Sequence, residues 1–328
     1  MTANSPSSGD MRDVRADLAT TCVRATTMNF MVWLDNAQHR DWILDAAGKI
    51  AEKHPSRSLI FDPSSHACGV TLPHGDGADD TVQNQRVAIG CDGMSPAELL
   101  EAAQPLLSAE LPTVLWWTGN PFQRRAAFDA LVGLADGLVL NSSGTVADES
   151  MVQELARFVA RCPGVALRDI AWMRLRPWQD MIAQFFDDEN LCGELFAVRK
   201  LCIEAGSDAE ALYLAGWLGS RLGWTACAHD EFCDRGGAPI PFRRVREGDI
   251  RRVRSIQIST ASSAYTATVN DADQDVIVLT ATGAAARPER LVLLQSIDNA
   301  SLLERAILEP ATDEVFETAL RMVGELLA

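Results

Sequence analysis

Two domains are predicted for this chain: an α/β domain with a Rossmann-like open sheet that lacks a nucleotide fingerprint, then an α+β domain with an antiparallel sheet. Three observations carry this. Strand-like and helix-like runs alternate up to about residue 163. From Val165 the β-rich runs instead follow one another, separated by turn residues. The length, 328 residues, also exceeds the usual size of one domain. Residues 1–22 read as a disordered or weakly ordered tail, 23–163 as the α/β domain and 164–328 as the α+β domain.

The first strand is read from Val23 to Trp33, a run of threonine, valine and aromatic residues. Asp35 or Asn36 can cap a helix reaching Lys53, with Trp42, Ile43, Ala46 and Ile50 on its inner face. His54-Pro55 ends it, and Ser58 to Phe61 is a short buried strand, the βαβ pattern. After an acidic loop at Gly75 to Asp80, Val82 to Cys91 is a strand. Ser95-Pro96-Ala97-Glu98 is a capping box with proline at the first helical position, for a helix to about Gln104. Leu111 to Trp117 is apolar enough for a sheet covered on both faces. Phe122 to Leu131 is helical, Gly137 to Leu140 a strand, and Asp148 starts the helix Met151 to Ala160.

In the second half, Asp169 to Trp172 opens a turn or short helix, and Pro177 launches a helix over Trp178 to Phe186 with Trp178, Met181, Ile182 and Phe185 on one face. Leu195 to Glu204 is a strand. A helix from Asp208 to Gly223 carries the stripe Leu214, Leu218, Leu222. Ile250 to Ser259, Ser263 to Val269, Asp275 to Thr280 and Leu291 to Gln295 form a meander, and helices Asn299 to Leu308 and Thr312 to Leu327 close the chain.

Composition narrows the function. Forty-five acidic against 29 basic side chains give a formal charge of −16, which opposes binding to nucleic acid or anionic membrane. There is no run of 18 apolar residues and no signal-like segment at the start, so a cytoplasmic location is expected. The eight cysteines are scattered, without a Cys-x-x-Cys pair, and read as small buried thiols. Cys227 and Cys233, flanking His229, are the possible redox pair; too few ligands are close for a metal site.

Chemistry finds no support. No strand is followed by Gly-x-Gly-x-x-Gly or a phosphate loop, and Asp35-Asn36-Ala37-Gln38 after the first strand cannot bring backbone against a pyrophosphate. Asn141-Ser142-Ser143-Gly144 is an anion nest or a plain turn. No serine lies in a Gly-x-Ser-x-Gly elbow, and Asp187-Asp188-Glu189 is a solvated helix end. The reading is no catalytic residue, no cofactor, no metal and no enzyme.

What stands out is tryptophan, eight residues, six of them in three tight clusters. Such side chains are over-represented where one protein holds another. Trp116 and Trp117 can be core anchors on opposite faces of the sheet, leaving Asn120 and Pro121 as exposed contributors. Trp172, Arg174, Arg176 and Trp178 form either domain glue or an outward patch. Arg221 lies between Trp217 and Trp224. Against the acidic whole, Arg243, Arg244, Arg246, Arg251, Arg252 and Arg254 make a basic island, a recognition field for an acidic protein patch or a set of arginines deterring edge pairing.

These same stretches resemble the glucose-6-phosphate dehydrogenase assembly protein OpcA family: His54-Pro55-Ser56-Arg57, Leu115 to Gly119 with Pro121, Ala135 to Val139 with Ser142-Ser143, Asp169 to Trp172 with Arg174 to Trp178, and Leu214 to Trp224. The likeness covers about residues 23 to 225. The resemblance implies a non-enzymatic partner of glucose-6-phosphate dehydrogenase that binds the active oligomer in the oxidative pentose phosphate pathway. The tryptophan clusters and the arginine run supply the partner-binding candidates: Asn120, Pro121, Trp172, Arg174, Arg176, Trp178, Arg221, Trp224, Arg243, Arg244, Arg246, Arg251, Arg252 and Arg254. Two other readings stay open: a sugar-phosphate or nucleotide sensor or enzyme using the α/β crevice, and a redox-responsive adaptor.

Overall fold

The computed structural model describes residues 26–35, 39–66, 68–71, 85–143, 148–186, 193–246, 252–294, 298–309 and 311–328. The expected tail at 1–22, the loop at Gly75 to Asp80, the acidic trio Asp187 to Glu189 and Arg251 lie outside them. By contacts the chain forms two compact units. One comprises residues 1–140, 164–168 and 303–312; the other comprises 141–163, 169–302 and 313–328.

The first unit is built on a seven-stranded sheet, in which β1 (Met28–Trp33), β2 (Ser56–Asp62), β4 (Gln85–Gly90), β5 (Thr113–Trp117) and β6 (Gly137–Leu140) run parallel. β3 (Cys68–Thr71) adds an antiparallel edge, and β7 (Ala166–Asp169) closes the other side. The order β3-β4-β2-β1-β5-β6-β7 is the doubly wound Rossmann arrangement with one added edge strand, and its topological switch lies between β1 and β5. Helices α1 (Arg40–Lys53), α2 (Pro96–Ala103) and α3 (Arg125–Val132) supply the crossovers. The capping box at Ser95 and Glu98 forms as read. β1 and β5 are buried at every position, which is why they carry near-continuous apolar runs.

Trp116 and Trp117 are both buried and point to opposite faces: Trp116 stacks on Phe30, and Trp117 lies on Trp33 with centroids 4.5 Å apart. Trp42 departs from its expected place. It is 45% exposed and meets Trp116 only edge-on, while Ile43, Ala46 and Ile50 fill the inner face of α1 as expected. Lys53 and His54 at the end of α1 bind Glu304 in the late segment of the same unit, at 2.7 and 3.3 Å.

The second unit carries an eight-stranded sheet, order β15-β14-β13-β12-β8-β11-β10-β9. Its strands are β8 (Val198–Ala205), β9 (Thr225–Ala228), β10 (Glu231–Cys233), β11 (Pro239–Arg246), β12 (Val253–Thr260), β13 (Ser263–Val269), β14 (Val276–Gly283) and β15 (Arg287–Leu293). All described pairings are antiparallel except β8 with β11. β8 begins at Val198 rather than Leu195, because Gly193–Ala197 forms a short 3₁₀ turn. Helices α4 (Asp148–Arg161), α6 (Arg176–Phe185), α7 (Asp208–Leu222) and α9 (Glu314–Leu326) belong to this unit, with the short α5 (Ile170–Met173); α8 (Asn299–Leu308) spans the change of unit. Gly223 caps α7 in the left-handed conformation at φ 72°, which glycine reaches without steric cost.

Helix α4, expected in the α/β domain, instead makes its contacts with α7 and α9 in the second unit. Its periodicity shows which face is apolar, not which neighbour covers that face.

Candidate functional site

In an open α/β sheet, ligands bind where the strand order reverses, at the carboxyl ends of the strands. Here that position lies after Trp33 and Trp117. Thr118 ties the two ends together: its Oγ1 donates to the Trp33 carbonyl at 2.7 Å and accepts from the Asp35 amide at 3.0 Å. Gly119 has φ +89°, and Asp35 Oδ2 lies 2.6 Å from where a Cβ would stand. The glycine therefore makes room for an acidic side chain. Burial pushes the Asp35 carboxyl upward, against the pull of Arg124.

At the end of β2, Asp62 is held by Arg40 and accepts from Ser64. Hydrogen bonds from Ser64 and the Arg40 charge outweigh the burial that would raise its carboxyl, which titrates low. The cleft that Leu34, Asp35, Arg40, Asp62, Ser64 and Arg124 line measures about 100 Å³, well short of the ~300–1,000 Å³ typical of ligand pockets. A pyrophosphate would meet Asp35 where a dinucleotide enzyme offers glycine amides. These residues do not fit a nicotinamide dinucleotide.

Asn141-Ser142-Ser143 after β6 is not an anion nest. The Ser142 amide donates to Asp169 Oδ1 at 3.1 Å, so the donor an anion would need is already used. Asp169, fully buried, also accepts from Tyr213 Oη at 2.7 Å and from the Ala171 amide. Beside this group, Arg174 Nε binds Glu210 at 2.9 Å, and its other nitrogens reach Ser143, Asn141 and Asn299. Desolvation raises the Asp169 carboxyl, and raises Glu210 to about 7 despite the Arg174 charge. Such a cluster holds segments in register; it leaves no described nucleophile and base facing an open pocket.

The predicted contact residues divide by exposure. Asn120 and Pro121 are buried rather than exposed, because Asn120 Oδ1 caps the following turn by accepting the Phe122 amide. Trp172, Trp178 and Trp224 are interior: Trp172 donates to Asp313 and stacks on Phe316, and Trp224 packs on Phe232. The Arg174 side chain is only 11% exposed. Arg176 and Arg221 face solvent.

Three arginines of the basic island, Arg244, Arg246 and Arg254, are paired with acidic side chains. Strand β11 pairs with β10 only over Pro239–Pro241, and its arginine-bearing stretch Phe242–Arg246 pairs with β8 alone among the described residues, so Arg243, Arg244 and Arg246 lie along an open stretch of strand. Arg244 binds Glu149 at 2.6 Å and Asp230 at 2.9 Å; Arg246 lies near Asp208 and Asp148, and Arg254 pairs with Asp271. Arg221, Arg243 and Arg252 are exposed; Arg221 and Arg243 make no ion pair with a described residue, whereas the Arg252 charge acts on Glu210.

Cys227 and Cys233 are joined by a disulfide across the hairpin β9–β10. Asp230 in its turn adopts φ 57°, the left-handed region, and is the residue that Arg244 grips. Among the described residues no group of three or more His, Cys, Asp or Glu side chains could hold a metal, and no helix is long and apolar enough to cross a membrane.

Sequence reasoning missed Asp169, Glu210, Tyr213 and Asp230. A signal existed for Tyr213, one of two tyrosines, set in an apolar helix where its hydroxyl must find a partner.

An open sheet in the doubly wound order, its crevice lined by the acidic side chains Asp35 and Asp62, with a mixed-sheet unit after it, defines a two-unit Rossmann-type scaffold. Solved structures agree on the fold. A 3-ketoreductase from Actinomadura kijaniata superposes with a TM-score of 0.52 at 12% identity, over 92% of this chain and 96% of that one. A levoglucosan dehydrogenase gives 0.51 at 9% identity, over 92% and 96%. Residues 47–157 match the glucose-6-phosphate dehydrogenase subunit N-terminal domain, and residues 165–320 match its C-terminal domain. The chain has both domains of the OpcA family, in order, and belongs to it. It is 32% identical over 126 residues to the OxPP cycle protein OpcA of Synechocystis sp., and 31% identical over 141 residues to that of Nostoc punctiforme. Those matches cover 38% and 42% of this chain, and about a quarter of each relative's length, 26% and 28%.

Proposed function

We propose that this protein is a non-catalytic assembly factor that binds glucose-6-phosphate dehydrogenase and favours its active oligomer in the oxidative pentose phosphate pathway, in the cytoplasm. The observation that carries this is the ordered match to both domains of the dehydrogenase-subunit family. The carboxylates Asp35 and Asp62 lining a small crevice support it, since they disfavour a pyrophosphate where the fold would otherwise suggest one. The mechanism is preferential affinity: a protein that binds one oligomeric state more tightly shifts the population toward it without supplying a chemical group. Arg221 and Arg243 are the contact arginines, being exposed and without a described ion partner, and exposed Arg252, whose charge also acts on Glu210, joins them. Arg176, Arg246 and Arg254, each paired with an acidic side chain, are secondary contacts, and Trp172, Arg174, Trp178 and Trp224 act by holding the surface. The test is dehydrogenase turnover and particle mass with and without this protein. No change in either on mixing would end the proposal.

A second reading is favoured by the Cys227–Cys233 bond: binding responds to thiol state. Reduction should alter activation in the parent protein and leave the Cys227→Ser, Cys233→Ser pair insensitive to reductant. Equal activation of the parent in both thiol states would remove this reading while leaving the first intact.

A further inference from the structure

Strand β11 has neighbours on both sides for only part of its length. It pairs with β8 over Phe242–Arg246 and with β10 over Pro239–Pro241. The Phe242 amide donates to the Asp230 carbonyl at 2.9 Å, just past the end of β10. Backbone groups point alternately to the two sides of a strand, so Arg244 and Arg246 direct their N–H and C=O to the side that β10 has left. Neither residue's backbone has a partner there among the described residues. The next described strand, β12, lies on the far side of β8 and does not close the stretch.

The stretch is fixed from behind. Ile240 and Phe242 are buried, and alternation puts the Arg244 and Arg246 side chains on the same inner face. There Arg244 binds Glu149 and Asp230, and Arg246 lies 3.4 Å from Asp208. A strand already held extended loses little freedom when another is laid beside it. On the outward face Arg243 is exposed and makes no ion pair with a described residue. Beside it on β8 stand exposed Lys200 and half-buried Glu204, whose carboxylate accepts from Ser255. Cations outnumber carboxylates at this point of the face.

Granted the assembly role, on which this rests, we propose that the open stretch of β11 takes an extended segment of the dehydrogenase as an added strand, its backbone paired with Arg244 and Arg246 and an acidic side chain against Arg243. Unpaired N–H and C=O groups along a strand are a template for another strand. Charge selects the occupant. A second copy pairing through the same stretch would set arginine against arginine, and like charges directly opposite are destabilising. An acidic side chain on the incoming segment meets Arg243 and Lys200 instead. The backbone ladder then supplies affinity, and the outward arginine supplies the choice of partner.

Amide exchange resolved to single residues, in the whole protein with and without glucose-6-phosphate dehydrogenase, tests this. The Arg244 and Arg246 amides should exchange fast in the free protein and about tenfold or more slower in the complex. Those of Arg243 and Val245, which face β8, should be slow in both. Arg246→Pro removes the open-side donor and leaves the β8 ladder whole, as proline does on an edge strand. It should bind the dehydrogenase about fivefold or more weakly than Arg246→Ala, which loses the same charge but keeps the donor. Arg243→Glu should weaken binding where Arg243→Lys does not. A complex that forms while the Arg244 and Arg246 amides stay fast overturns strand addition and leaves the assembly role standing. So does a folded Arg246→Pro protein that binds as Arg246→Ala does, or an Arg243→Glu protein that binds as the parent does. If Arg246→Pro fails to fold, exchange in the parent decides. No change in dehydrogenase turnover or particle mass on mixing removes the assembly role, and strand addition with it.

Discussion

Arg174 shows how far a single side chain can mislead when read alone. Beside two tryptophans in the sequence it has the signature of an interface residue; in the fold it neutralises Glu210 inside the second unit, with both side chains nearly out of solvent at 11% and 2%. Removing one member of a buried pair leaves an uncompensated charge, a loss of about 3–5 kcal/mol. Arg174→Ala should therefore lower the melting temperature and abolish dehydrogenase activation together. Arg221→Ala, at an exposed site, should weaken activation while leaving melting unchanged, and differential scanning calorimetry beside the activation assay separates the two. Glu210 adds a pH signature. Its folded carboxyl is raised to about 7 from 4.5, so the folded state holds a proton that the unfolded state releases between those values. Its contribution to stability is complete below 4.5 and is lost as pH rises toward 7. Melting temperature should fall across that window, and the fall should be shallower in Glu210→Gln; equal slopes would show that other buried acids, such as Asp169, carry it.

At the scale of elements, the close approach of α7 and α9 rests on Gly216, where a Cβ would stand 2.5 Å from the Ala319 carbonyl oxygen. Alanine in a helix gains about 1 kcal/mol over glycine, whereas forcing backbones apart in a packed core costs about 1–3 kcal/mol. The clash is with backbone, which cannot rotate away, so Gly216→Ala should be net destabilising by ~1–2 kcal/mol in urea titration; a stabilised variant would show that the helices can slide. The hairpin β9–β10 is the other element with a sharp expectation. Closing so short a loop by the Cys227–Cys233 bond stabilises it by about 2 kcal/mol, so reduction should speed amide exchange over Thr225–Cys233 while leaving the Asp169–Tyr213 cluster protected. Helix periodicity and capping placed α2, α6, α7 and α9 well, because caps and apolar stripes are local. Strands β3, β7, β9 and β10 escaped because three or four residues carry no period of their own and exist only through a partner. Trp42 escaped for a related reason: spacing puts it beside Ile43 and Ala46, but an apolar stripe does not say where the neighbouring surface ends.

For the molecule as a whole, the decisive property is that its two units are interleaved along the chain. Residues 141–163 and 313–328 belong with the antiparallel sheet, and residues 164–168 and 303–312 return to the first unit. The change in texture near Val165 was visible because strand spacing changes there; the interleaving was not, since it depends on tertiary partners of ordinary amphipathic helices. Which arginines are free of acidic partners was only partly visible for the same reason, because Arg244 and Arg221 look alike until the acids around Arg244 are in place. Interleaving has a consequence for folding. A cut at residue 163 strips α4 from α7 and α9, and takes from the first unit the segment whose Leu303, Ala306 and Ile307 are buried and whose Glu304 binds Lys53 and His54. Burial of each such aliphatic side chain is worth about 1.5–3 kcal/mol, against a total domain stability of about 5–15 kcal/mol. Neither 26–163 nor 164–328 should then fold alone: each should show weak amide protection and no cooperative melt, and co-expression of the two should restore a complex with the melting transition of the intact chain. A cooperative, well-protected 164–328 fragment would mean that α7 and α9 form a sufficient core without α4.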